Sequence, residues 1–121
     1  MTAPIAPIAL TCGEPAGVGP ELAVAARRAL GAEVPFFWIG DPRLLPAGTG
    51  FAEISRPQEA AGVPAHLLPV LRHDFPAPNV PGVAEPANAA SVIAVIERAV
   101  TLVQGGEAGA ICTSPIHKKA L

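Results

Sequence analysis

Two short apolar runs, each passing straight into a turn and then a proline-marked helix start, narrow the folds open to this chain more than anything else. Ile5-Ala6-Pro7-Ile8-Ala9-Leu10-Thr11 leads into Cys12 to Glu21, where Pro20 stands at a first helical turn with Glu21 beside it. Ala110-Ile111-Cys112-Thr113 leads in the same way into Ser114-Pro115. Proline suits a first turn because its missing N–H is not needed there, and an acid beside it meets the positive end of the helix dipole. A strand that continues into a helix is the unit of a parallel sheet, since parallel neighbours need a long crossover and not a hairpin. Between these runs, Phe36-Phe37-Trp38-Ile39 is a continuously apolar strand stopped by Gly40, and Asp41-Pro42 caps a short helix through Leu45. The order β-α-β-α, then β-α, predicts an α/β fold with a layered parallel sheet flanked by helices.

Helical faces follow from spacing. Leu22, Ala25, Ala26 and Ala29 recur at i, i+3, i+4, i+7, which sets them inward and leaves Arg27 and Arg28 outward, and Gly31 ends the helix. Val92, Val95, Ile96, Ala99 and Val103 form a second apolar stripe from Asn88 onward, halted by Gly105-Gly106. From Pro46 to Pro86 the chain is rich in Pro and Gly, with Phe51 to Ile54 and Leu67 to Leu71 as short strands among irregular excursions. Ala110 to Thr113 reads as a buried strand. With 121 residues there is room for one domain, and with 50% apolar residues, few of them aromatic, the core is aliphatic, as a helix-covered parallel sheet requires.

A formal net charge of −2 and only 15% charged residues supply no basic field for nucleic acid or anionic lipid. No run of about 18 apolar residues exists, so no membrane span is expected, and the start lacks the flanks of a secretory signal. A cytoplasmic protein is the expectation. Cys12 and Cys112 are too few for a disulfide framework or zinc cluster and are expected to be buried, reduced thiols.

Ligands of open α/β sheets bind beyond the carboxyl ends of the strands, which directs attention to Gly13–Glu21 and Thr113–Lys119. The glycine spacing of the first segment, G-x-x-x-G-x-G, is neither a dinucleotide fingerprint nor a P-loop. It is either a tight strand–helix turn or a ligand-lining loop, and Glu14 within it would repel phosphate. The second segment gathers Thr113, Ser114, His117, Lys118 and Lys119, where lysines oppose the helix dipole unless an anion accompanies them. Solvated lysines are the plain alternative. His66, His73 and His117 lack the spacing of metal ligands, so no metal site is expected within this chain.

Thr11-Cys12-Gly13-Glu14-Pro15-Ala16-Gly17-Val18-Gly19-Pro20-Glu21 resembles the opening signature of the 4-hydroxythreonine-4-phosphate dehydrogenase family. Thr113-Ser114-Pro115-Ile116-His117-Lys118, with Ala120-Leu121, resembles its second signature, T-x-P-[IV]-x-K, and Asn88 to Gln104 resembles the helix before it. The resemblance implies an enzyme of pyridoxal 5′-phosphate biosynthesis. It would use NAD or NADP and a divalent metal to oxidise 4-phosphooxy-L-threonine, a small phosphorylated substrate, to a β-keto acid that decarboxylates. It implies a homodimer, and two α/β domains resembling those of the isocitrate and isopropylmalate dehydrogenases. Residues 1–121 would then be the amino-terminal part of the first domain, with the second domain, the completing carboxyl-terminal segment, the metal-binding histidines and a Gly-His-Thr phosphate motif all beyond Leu121. What carries over is cleft lining by Glu14, Thr113, His117 and Lys118. No catalytic residue carries over, and the chain alone is expected to be inactive. The rival readings are a threonate or erythronate 4-phosphate dehydrogenase, a non-catalytic phosphometabolite-binding module, and a piece that folds only against a partner.

Overall fold

The computed structural model describes residues 6–31, 33–77, 82, 83 and 85–116. Five strands form one parallel sheet: β1 (Ile8–Thr11), β2 (Phe36–Gly40), β3 (Phe51–Ile54), β4 (Leu68–Arg72) and β5 (Ala110–Cys112), in the order β3-β4-β2-β1-β5. Helix α1 (Gly19–Leu30) connects β1 to β2, and α2 (Ala89–Gln104) precedes β5. The β1-to-β2 and β4-to-β5 crossovers run in opposite directions across the sheet. Right-handed connections therefore set the helices on opposite faces. β2, at the centre, is buried at all five positions, as a strand covered on both faces must be. Both expected strands of the Pro-rich region exist, and β4 inserts between β2 and β3 so that the excursion returns to the sheet.

Most of the expected boundaries hold within a residue or two, but β1 begins only after Pro7. Pro20 occupies the first turn of α1 and Gly31 closes it, and Asp41 caps a single 3-10 turn at Pro42–Leu44. On α2 the stripe is as spaced: Val92, Val95 and Ala99 are buried, with Ile96 and Val103 half-buried. Pro86–Gln104 is long and apolar enough to cross a membrane by length and composition. Yet it lays that stripe on the sheet and carries Glu97 and Arg98 at mid-length, where a bilayer would penalise both.

Three expectations are corrected. The inward face of α1 is formed by Ala23, half-buried Ala26 and buried Arg27, whereas Leu22, Ala25 and Ala29 are exposed. Arg27 turns inward because several loop carbonyls lie within its reach. Its guanidinium donates to the carbonyls of Leu67 (2.7 Å), Val63 (3.1 Å), Pro64 (3.1 Å) and Gly31 (3.1 Å). Strand β5 is not buried: among the described residues it pairs only with β1, at a sheet edge, which leaves Ala110 and Cys112 exposed. Accordingly the thiols differ, with Cys12 buried and Cys112 exposed, both reduced.

Candidate functional site

β1 and β5 are neighbours although β1 leads to β2 and β5 is reached from β4, and ligands of open α/β sheets lie beyond the strands' carboxyl ends, which points to the carboxyl ends of this pair. There the two segments singled out in the sequence meet through one main-chain bond, beside a second bond to the Thr11 hydroxyl. The Glu14 amide donates to the Pro115 carbonyl at 3.0 Å, and the Ser114 amide donates to Thr11 Oγ1 at 3.2 Å. Two glycines permit that approach. Gly13 has φ +67°, and a Cβ there would sit 2.5 Å from the Pro115 oxygen and 2.8 Å from Ser114 Cβ. At Gly19 a Cβ would fall 2.0 Å from the Cys12 oxygen. No real Cβ survives such distances, so the glycine spacing serves close backbone approach.

The turn uses its own amides. Gly17 N–H donates to the Glu14 carbonyl at 3.0 Å and Ala16 N–H to Glu14 Oε1 at 3.3 Å, in addition to the Glu14 amide bond. With those donors engaged and a buried carboxylate among them, the turn is not a ready phosphate cradle of the kind a dinucleotide pyrophosphate needs. Glu14, just past β1, is buried, and Thr113, just past β5, is exposed. His117 and Lys118 lie outside the described residues, as does most of the helix expected after Ser114-Pro115; residues 113–116 carry no helix.

A feature the sequence read only as a helix cap stands beside this crevice. Asp41, just past β2, is fully buried, and its carboxylate accepts from the Arg43 amide (2.9 Å), Arg43 Nε (3.1 Å to each oxygen), Arg43 Nη2 (2.6 Å) and the Phe75 amide (2.9 Å). Burial alone would raise its pKa, but the hydrogen bonds from Arg43 and Phe75 outweigh it and hold the carboxyl below its usual range. Arg43 also donates to the Phe75 carbonyl at 2.9 Å. The pair forms one wall of a cavity of about 520 Å³, with Pro15–Gly17, Glu21, Leu44–Ala47 and Pro76-Ala77 as the others. Loops after β1, β2 and β4 thus surround one space that presents the Glu21 carboxylate and the partly exposed Arg43 guanidinium.

The histidines are dispersed. His66 lies in the turn before β4; His73 follows that strand, with its ring edge-on to Phe75 at 6.0 Å and Nδ1 3.5 Å from Arg98 Nη1. Burial, then the Arg98 charge, lowers the His73 pKa. Among the described residues no three His, Cys, Asp or Glu side chains converge, so these residues do not fit a divalent metal on their own. The Cys12 thiol is pushed up to about 12, chiefly by burial, and is inert at neutral pH.

Comparison with known proteins gives a consistent result. The family model described as pyridoxal phosphate biosynthetic protein PdxA matches residues 32–121. The 4-hydroxythreonine-4-phosphate dehydrogenase of Roseobacter denitrificans is 56% identical over 121 residues, covering 100% of this chain and 37% of the relative. That of Paracoccus denitrificans is 60% identical over 115 residues, 95% of this chain and 34% of the relative. The solved 4-hydroxythreonine-4-phosphate dehydrogenase of Klebsiella pneumoniae superposes with a TM-score of 0.82 at 29% identity, covering 95% of this chain and 38% of that one. The chain therefore spans little more than a third of the length of the relatives it matches.

Proposed function

The chain belongs to the PdxA family of pyridoxal phosphate biosynthetic proteins, and from that premise we propose that it supplies one wall of the active-site cleft of a 4-hydroxythreonine-4-phosphate dehydrogenase. The proposal concerns a protein of the relatives' full length, in which residues 1–121 form the opening part of the first of two domains. In that protein the secondary alcohol of 4-phosphooxy-L-threonine gives up a hydride to NAD or NADP and a proton to solvent. The resulting β-keto acid then loses carbon dioxide to leave 3-amino-2-oxopropyl phosphate. A divalent metal, a homodimeric assembly and a cytoplasmic setting belong to the same proposal. Because the described residues do not fit the metal or a pyrophosphate cradle, this segment's part is shape and positioning.

The observation that carries the reading is the junction of the two signatures. Segments 103 residues apart at Thr11 and Ser114 are bonded at the carboxyl ends of adjacent parallel strands, where such folds hold ligands. In the proposal Glu14 and Thr113 line that cleft with His117 and Lys118, and the lysine pairs with the substrate's anionic group. A non-catalytic phosphometabolite-binding module is favoured by one fact, the absence of a converged acid–base or metal set among the described residues.

One assay separates these readings. A protein carrying this chain at the relatives' full length should reduce NAD with 4-phosphooxy-L-threonine as substrate, and the 121-residue chain alone should not. Turnover with threonate or erythronate 4-phosphate only would move the assignment to a sugar-acid-phosphate dehydrogenase. Binding without turnover of any of these substrates would replace the enzyme reading with the binding module.

A further inference from the structure

Arg27 buries a positive charge that no carboxylate neutralises among the described residues. Its side chain belongs to a residue only 5% exposed, and its four acceptors, the carbonyls of Leu67, Gly31, Val63 and Pro64, are all uncharged. Carbonyl dipoles offset only part of the cost of removing a full charge from water. The carboxyl end of α1 adds about half an elementary negative charge, against the two guanidinium groups of Arg27 and Arg28 in its last turn. The balance stays positive.

That uncompensated charge opens on a cavity. A space of about 420 Å³ lies at the amino-terminal ends of β3 and β4, away from the signature loops, with Arg27, Arg28, His66, Gly31 and Gly48–Gly50 among its walls. Among the described residues no aspartate or glutamate lines it, although Glu21 lines an adjoining groove that shares Arg28. A guanidinium has five N–H donors, so the four bonds of Arg27 leave one on Nη1 without an acceptor among the described residues. A Cβ added at Gly31 or Gly48 would meet nothing within 4 Å, so the main chain there leaves open space.

We propose that this cavity is an anion site for a phosphate group, carried by inorganic phosphate or a phosphomonoester. Arg28 and His66 are its direct ligands, and Arg27 supplies the field and one N–H. The space exceeds what a bare phosphate fills and falls within the range of small-metabolite pockets. This inference does not depend on the dehydrogenase reading, because the cavity lies at the other end of the sheet from the signature loops.

The test is isothermal titration of the full chain at low ionic strength with inorganic phosphate and, separately, glycerol 3-phosphate. Arg28→Ala and His66→Ala remove exposed side chains, so both variants should keep the fold. Arg28→Ala should weaken binding by about tenfold or more, the size of a lost charge-assisted contact, and His66→Ala by less. Arg56→Ala, which removes the same charge outside the cavity, should leave binding unchanged. Tighter binding of the ester would identify a metabolite as the natural ligand, and equal binding would identify free phosphate. Binding that is unmoved by Arg28→Ala, lost equally with Arg56→Ala, or undetectable at millimolar phosphate would overturn the proposal.

Discussion

Replacing Asp41 by asparagine should destabilise the fold more than removing its arginine partner, although asparagine keeps the shape of the site. Each carboxylate oxygen of Asp41 faces only donors: Oδ1 meets the Arg43 amide and Nε, and Oδ2 meets Nε, Nη2 and the Phe75 amide. An asparagine side chain must turn its own NH₂ against one of these sets, whichever way it flips. One or two charge-assisted bonds are lost, at about 1.5–3 kcal/mol each, and a buried donor is left unpaired. Against this, the freed Arg43 side chain is largely exposed and rehydrates, which trims the penalty. The expected net loss is about 2–4 kcal/mol, or roughly 10 °C in melting temperature for a domain of this size. Arg43→Ala should cost less, because it leaves Asp41 with the two amide donors of residue 43 and Phe75. Urea unfolding of the parent, the two single variants and the double variant would measure the coupling directly. The pH dependence adds a check. The folded-state pKa of Asp41 lies below the ordinary 3.8, so its contribution is present above that value and lost as pH falls through the lower folded value. The gap between parent and Asp41→Asn should therefore close in acid. An asparagine variant within about 0.5 kcal/mol of the parent at neutral pH, or an Arg43→Ala loss larger than it, would refute the reasoning.

Other outcomes follow from features described above. Gly13→Ala forces a Cβ to 2.5 Å from the Pro115 oxygen at a positive φ, and should part the two signature loops. The measurement is hydrogen exchange at the Glu14 amide, which should lose its protection, with a stability loss of at least about 1–2 kcal/mol from the backbone conformation alone. A thiol reagent should modify Cys112 quickly and reach Cys12 only after denaturation, since Cys12 is buried with its pKa near 12; two fast thiols in the native protein would contradict the burial. His73 is held neutral in the fold by burial and by Arg98, so the unfolded chain binds its proton at higher pH. Stability should fall as pH drops below the ordinary 6.5 toward the lowered folded value, and His73→Gln should remove that part of the slope.

How much of this was legible in the sequence depended on the range over which each residue acts. Pro20, Gly31 and the Asp41-Pro42 cap act within one turn, so composition alone located them. The unbroken run of β2 announced a strand covered on both faces. The face of α1 was misread because periodicity assigns arginine to solvent, and three of the four acceptors of Arg27 lie 36 to 40 residues away. The same distance effect hid Asp41: the cap was visible, but its bond to Phe75, 34 residues on, was not. The three residues of β5 are apolar enough for a central strand, and nothing local reveals that they form an edge. For the candidate site, the two signature segments were visible as motifs, but their main-chain junction required the strand order.

The place of β5 beside β1 has a consequence for how the chain comes to be folded. β1 is made first and lies next to β2 within some thirty residues, so one of its edges is paired early. Among the described residues its other edge pairs only with Ala110–Cys112. During synthesis that edge of an apolar strand stays open while the whole segment between Thr11 and Ala110 emerges, and the long loop must then close against its entropy. The nascent chain therefore carries an adhesive strand edge until Ala110–Cys112 has emerged, and β5 acts as the latch that retires it.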